Sequence, residues 1–475
     1  MATSWAFGYR ASNGATVMFA ESGGTNTGGD LTLTFRPSAT FQVGDTVKAK
    51  VTNTVAGGAP SSVSDSSGRA WTYTVSADQK TVTLTGGTAT AVVSSATLTV
   101  TIGGSTVTGT YKVDAATPPP PPPPSGSPRV RLHGIGGRSR ARTEAEMPLV
   151  TAGPGGFTVL EVDWKAIQPQ SGALNTAKVN ALKADLDWAD DNDLNVFLRT
   201  FAGIYSPDWV KALSGSITPW YSNDNADREW RELPGGVPIW THPKFAQAYR
   251  DWQQRMADAI GDHPRLAVVS MALCMTQYAE PCIKQYAYAP NANAAARAGL
   301  STDADIEAFK TGFDIHAAVW SPKGVATACS YNTHQGLSAA GTLSSSMPRT
   351  LDLMDEQLAR LGKFTVWENN SLLDPDTEYV EMYEKMEAGR AGPKKVCLHF
   401  QTETAAKHVK HWTASAKTSP ARTFEKAIRL GAASVEFPTG GMGRMEKGGT
   451  VYWEAISISD AADFNRRLKA NIVPA

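Results

Sequence analysis

Cysteine is scarce in this chain, with four residues in 475. No C-x-x-C pair and no Cys/His group at zinc spacing occurs. That argues against a disulfide-stapled scaffold and against a structural zinc site. Three of Cys274, Cys282, Cys329 and Cys397 fall in apolar runs, where thiols are expected to be buried as small hydrophobes. A Cys274–Cys282 bridge stays open, but the spacing does not demand it. A charge excess is lacking too, with 45 basic against 45 acidic side chains. A nucleic-acid binder normally shows a basic excess or a basic stripe, so that class is disfavoured. No apolar run approaches the roughly 20 residues of a membrane span. The start, MATSWAFGYRASNG, has no basic segment followed by an apolar one, so an ordinary secretory signal is not expected. The G-x-S-x-G elbow is missing, which disfavours a serine hydrolase. No metal or other cofactor is expected.

What is present begins with seven consecutive prolines, Pro118 to Pro124. Such a run has no amide donors for a helix or sheet, so it is expected to be an extended polyproline II spacer. It divides the chain into 1–115, a linker at 116–128, and 129–475.

Residues 1–115 are rich in Thr, Ser, Val, Ala and Gly and contain no His or Cys. Short alternating runs recur at Leu31–Phe35, Thr46–Val51, Trp71–Val75, Thr81–Leu84, Thr97–Ile102 and Thr108–Val113. β-branched residues at period two between turn signals predict an all-β, immunoglobulin-like sandwich. We read it as a docking module. The alternative is a carbohydrate-binding module using Trp5, Phe7, Tyr9, Trp71 and Tyr73, although alternate aromatics on a strand are more often half of a core.

Beyond residue 129 the pattern becomes strand, loop, amphipathic helix, repeated. Eight strands are expected at Val130–Ile135, Phe157–Trp164, Leu194–Phe201, Leu266–Tyr278, Gly324–Tyr331, Phe364–Trp367, Lys395–Gln401 and Ala433–Phe437. Helices are expected at Thr176–Asp190, Pro243–Ile260, Asp303–Val319, Leu351–Leu361, Thr377–Ala388, Ala421–Leu430 and Ala461–Ala470, with Thr302 and Asp374 as helix-start residues. Eight βα units predict an α/β (β/α)8 TIM barrel. A doubly wound sheet is the alternative, but Gly134-Ile135-Gly136-Gly137 lacks the third glycine of a dinucleotide turn.

In a barrel of this kind the chemistry lies at the C-terminal strand ends, and strand parity separates interior from helix-facing residues. Cys397, His399, Gln401 and Glu403 share one face, as do Glu161 and Asp163; Tyr278 and Glu280 continue the fourth strand's face. Arg131 and His133 are expected to end the first strand and Arg199 the third; Glu368 follows the sixth, and Glu436 lies on the eighth. Some of these are expected to be mutual salt bridges, such as Arg199 with Glu161 or Asp163.

The second unit, Asp163-Trp164-Lys165-Ala166-Ile167-Gln168-Pro169, resembles the β2 segment of retaining glycoside hydrolases with (β/α)8 barrels. The third unit runs into Tyr205-Ser206-Pro207-Asp208-Trp209, the fourth ends Tyr278-Ala279-Glu280-Pro281, and the seventh ends Gln401-Thr402-Glu403-Thr404. The resemblance to this clan A-like group implies Glu280 as acid/base and Glu403 as nucleophile, with Glu368 in reserve. Ala279 departs from the Asn that normally precedes the acid/base. Independently of any family, glycosidic cleavage with retention needs a proton donor and an attacking carboxylate about 5–5.5 Å apart. Asp163, Trp164, Arg199, Trp209, Trp220, Tyr278, Tyr331, Asn332, His334, His399 and Glu436 are the expected substrate-binding residues.

The loop between Pro207 and Trp240 carries Trp209, Trp220, Tyr221, Trp230 and Trp240, with Asn223, Asp224 and Arg228 among them. Indoles stack on sugar C–H faces, and a self-packed loop is the other reading. His408-x-x-His411 is expected to be a solvated pair. A β module, a proline spacer and a hydrolase resemble a minor tail protein of phages that infect actinobacteria. That resemblance implies a virion tail location, other tail proteins as partners, and a cell-surface polysaccharide as substrate, such as a cell-wall arabinan or galactan. A secreted enzyme and an inactive glycan-binding tail protein are the alternatives.

Overall fold

The computed structural model describes residues 30–36, 40–42, 46–114, 126–223, 229–273, 280–281, 285–338, 341–375, 378–392, 395–438 and 441–473. The proline run lies outside them, as do Trp5, Phe7, Tyr9, Cys274, Tyr278, Ala279 and Cys282. Two compact units are formed, residues 1–119 and 120–475.

In the first unit, one four-stranded antiparallel sheet runs Leu31–Arg36, Thr46–Asn53, Thr81–Thr88, Thr72–Val75. The other runs Thr40–Gln42, Ser105–Asp114, Val93–Ile102, Ser62–Asp65. In that second sheet Thr40–Gln42 pairs in parallel with Ser105–Asp114. Alternate residues of both sheets, including Leu33, Val51, Leu84, Leu98, Val100 and Val113, enter one apolar core, as period-two patterning requires. Trp71 packs against this core and donates to Asp65, whereas Tyr73 is exposed.

The second unit contains a closed barrel of eight parallel strands. In chain order they are Gly134–Gly137, Phe157–Asp163, Asn195–Phe201, Leu266–Ser270, Ala326–Ser330, Thr365–Leu372, Cys397–Thr402 and Ser434–Glu436. The eighth pairs back onto the first. Helices return the chain between strands, among them Thr176–Asp191, Pro243–Ile260, Thr302–Val319, Met347–Leu361, Val380–Ala391 and Pro420–Arg429, with Ile458–Ala470 closing the unit. Side-chain caps set several starts: Asn175, Ser301, Ser346 and Ser419 each accept a backbone N–H, the usual role of these residue types. Ser301, not Thr302, is therefore a cap, and Asp374 precedes no helix start.

The barrel interior is apolar at its N-terminal end, where Phe157, Val159, Phe197, Val268, Ala328 and Val366 meet. The first strand starts later than the apolar run predicts. Arg131 and His133 precede it and belong to the N-terminal end: Arg131 donates to Lys363 O, and His133 lies against Asn195. They are not strand-end groups of the catalytic face. Gly134–Gly137 is the first barrel strand and not a phosphate turn.

Candidate active site

Above the apolar floor the interior turns polar, because parity carries the same faces upward. Val366 leads to Glu368 and Asn370, Cys397 to His399 and Gln401, and Ala328 to Ser330. Arg199 on the third strand is fully buried. Its guanidinium donates to Glu436 at 2.8 and 3.3 Å and to Glu368 at 3.1 Å. Glu161 is 3.9 Å away at the edge of this group, and Arg138 stands 3.7 Å from Glu161 and 4.0 Å from Glu436. Arg199 thus bridges strands three, six and eight; of the expected partners, Glu161 stands at the edge of the group, and the closer pairs are to Glu368 and Glu436.

His399 lies beneath, edge-on between Phe157 and Phe197. Its Nδ1 bonds the Ser434 hydroxyl at 2.8 Å, and its Nε2 faces Glu436 at 3.8 Å and Glu368 at 4.0 Å. Those separations are electrostatic contacts and not hydrogen bonds. The two carboxylates behave differently. Burial pushes Glu368 up, and Arg199 only partly offsets it. Burial acts on Glu436 as well, but there the Arg199 charge and hydrogen bonds prevail and hold it down at about 2.

Around this group several buried polar atoms have no hydrogen-bond partner among the described residues: Ser330 Oγ, Asn332 Nδ2, Asn370 Oδ1, Gln401 Oε1, His399 Nε2 and Arg199 Nε. Buried polar atoms without partners are uncommon and each asks for a reason. A lining of this kind suits a hydroxyl-rich ligand.

Glu403 follows the seventh strand, with its backbone N–H on Leu372 O and its carboxylate 2.6 Å from Lys407 Nζ. Its side chain is 13% exposed, and that of Lys407 is 55% exposed. Glu280 is buried. Among the described residues the fourth strand runs Leu266–Ser270, and Tyr278, where the pattern predicts its end, lies outside them. Asp163 ends the second strand with its carboxyl raised by burial. It lines, with Glu161, a cleft of about 610 Å³ towards the helices Arg140–Ala145 and Thr176–Asp191.

Other expected contacts lie elsewhere. Trp164 is fully buried, stacked on Trp252 at 4.7 Å and donating to Gln168. Trp220 and Trp240 are buried too, the latter donating to Asp305. Trp209 is half-buried against Trp164 and donates to Gln168 O. Trp230 stacks on Tyr288 at 4.4 Å. The loop's tryptophans are thus packed against other parts of the barrel unit, with Trp220 and Trp240 in its main core; Asp224 and Arg228 lie outside the described residues. Tyr331 points outward, its hydroxyl on Gln357 and Leu353 O. His334 pairs with Asp305 at 3.0 Å. His408 is buried between Thr404 O and Thr423, so it is not solvated; His411 is exposed. Cys329 and Cys397 are buried and take part in no disulfide among the described residues.

Arg138 and Asn370 were missed by the sequence reading. Parity from Val366 marks Asn370; Arg138 becomes visible only once the first strand is placed at Gly134–Gly137.

No family model matches the chain, and no curated protein matches it significantly. Among solved structures it is similar to beta-glycosidase BGL167, at 12% identity and TM-score 0.40, over 71% of this chain and 87% of that one. It is also similar to endo-glycoceramidase II from Rhodococcus sp., at 14% identity and TM-score 0.39, over 70% and 78%. A third similar structure is ZgEngAGH5_4, at 11% identity and TM-score 0.39, over 71% and 98%. These likenesses are too distant to assign a family.

Proposed function

We propose that the barrel is a glycoside hydrolase that cleaves a polysaccharide with retention of configuration, Glu280 acting as acid/base and Glu403 as nucleophile. The observation that carries this reading is the polar interior at the C-terminal end of a closed parallel barrel, with Glu280 and Glu403 following strands four and seven. Retention requires one carboxyl to protonate the leaving oxygen while a second carboxylate attacks the anomeric carbon. Glu368 and Glu436 are both engaged by buried Arg199. Among the described residues the ion-pair partner of Glu403 is Lys407, whose side chain is largely exposed, which favours Glu403 over Glu368 as nucleophile. Arg199, His399, Asn370 and Gln401 would hold sugar hydroxyls or set the charge beneath them.

The test is hydrolysis of a panel of cell-wall glycans, with product anomers read by NMR. E403Q should lower kcat by at least about 10³-fold, while E368Q should keep most turnover and E280Q should lose it mainly on poor leaving groups. Full activity in E403Q removes the assignment.

We place the chain on a virion tail, the β module docking to other tail proteins and the barrel facing the host surface. Its detection in purified particles by mass spectrometry is the test. A glycan-binding tail protein without turnover is the second reading, favoured by Ala279; tight glycan binding with no reducing-end release would select it.

A further inference from the structure

The loops after strands two and three enclose a second cavity, of about 640 Å³, lined by Lys165, Tyr205, Ser206, Lys211 and Leu233 among others. Loops that follow barrel strands leave from the C-terminal end, so this cavity belongs to the same face as Glu403.

Its chemistry is cationic. Lys165 is exposed, with its ammonium 5.3 Å from the centre of the Tyr205 ring. The Lys211 side chain is 11% exposed, and its ion-pair partner among the described residues is Asp208, 3.9 Å away and itself fully exposed. The Lys211 ammonium reaches the turn at Gly235, where an added Cβ would lie 3.9 Å from Nζ. Ser206 is 1% exposed, and its hydroxyl has no hydrogen-bond partner among the described residues. Two ammonium groups and an unused hydroxyl therefore share one concave site, while the nearby carboxylate faces water. Asp208 also lines the cavity, so its two lysines and one carboxylate leave a net positive charge, and an excess of one sign concentrates the opposite ion. Burial, with the neighbouring Lys165 charge adding to it, lowers the Lys211 ammonium against the pull of Asp208; the charge of an incoming anion would offset this.

We infer that this cavity is an anion subsite for the carboxylate or phosphate groups of an acidic polysaccharide. The inference rests on the hydrolase reading for its place on the substrate path, and it specifies the substrate class.

Binding separates the two claims, because it does not require turnover. The full chain is titrated by calorimetry with oligogalacturonate, with a poly(glycerol phosphate) oligomer and with a neutral galactan oligomer, at low and high salt. One acidic oligomer should bind at least about tenfold tighter than the neutral one, and salt should erode the difference. The two acidic probes distinguish carboxylate from phosphodiester. K165Q/K211Q should abolish the preference at an unchanged thermal midpoint, and K165R/K211R should keep it. Equal binding of acidic and neutral oligomers, binding of neither acidic probe, or an undiminished preference in K165Q/K211Q overturns the subsite. Acidic binding without cleavage of any glycan supports the subsite and removes the hydrolase reading. Cleavage of neutral glycans without acidic preference does the reverse.

Discussion

Arg199 neutralises two carboxylates that water does not reach. Removing one partner of a buried ion group strands the others, which costs about 3–5 kcal/mol. R199M should therefore lower barrel stability by that order in urea melts, and R199M/E368Q/E436Q should recover part of the loss. The acid response follows from the two glutamates separately. Glu436 is held at about 2 against an ordinary 4.5. The unfolded chain takes up its proton first, so the stabilisation is complete above about pH 4.5 and is lost as pH falls towards 2. Glu368 has the opposite sign: its raised carboxyl favours the proton in the native state, and acidification through its pKa stabilises the fold. E436Q should flatten the acid limb of stability measured by denaturant titration, and E368Q should not. Strand parity marks His399, and position on or at the end of a strand marks Arg199, Glu368 and Glu436. Neither could foresee that Trp164 and His334, beyond the strand ends, are claimed by Trp252 and Asp305, because those partners come from helices distant in sequence.

At the scale of elements, the first barrel strand is the most constrained. An added Cβ at Gly136 would lie 2.5 Å from the Phe157 ring, and one at Gly137 would lie 2.6 Å from Thr143 Oγ1. Overpacking a tight interior typically costs about 1–3 kcal/mol, so G136A should shift the barrel's melting transition down, and G136A/F157L should restore part of it. Close packing explains why this strand is glycine-rich and why its composition mimics a nucleotide loop. The long helices were legible, to the residue at Pro243–Ile260 and within three or four residues at Met347–Leu361, Val380–Ala391 and Ile458–Ala470, because amphipathic spacing persists over several turns, whereas short ones such as Asp208–Ser214 and Ala405–His411 were not. The fourth strand is shorter than the apolar run predicts because the ladder gives way just after it: Met271 N–H still bonds Ala328 O, but Ala272 N–H turns to the Tyr249 hydroxyl and Leu273 N–H to Met271 Sδ. The short pairs Ser216–Ile217 with Val237–Pro238 and Tyr221–Ser222 with Arg231–Glu232 carry too few residues to show a period.

On the scale of the whole molecule, each unit has its own apolar core. A unit with a separate core can fold alone. Residues 126–473 expressed by themselves should retain the barrel's far-UV spectrum and its thermal midpoint within about 2 °C, which in a unit of this length is a change of about 1.5 kcal/mol. A broad, non-cooperative melt would show that the barrel depends on the β module. The eight-unit rhythm made the architecture readable, since every unit repeats the same strand and helix periods.

Closure of the ring carries a consequence for synthesis. Ser434–Glu436 must pair with Gly134–Gly136, and Asn465 accepts the Ile135 N–H while donating to the carbonyls of Val150 and Ala152. Joining segments so remote is slow and waits on the later one. A ribosome must therefore carry the chain past Asn465 before its earliest strand is fully satisfied, and a nascent chain arrested short of that point would be left with an open seam.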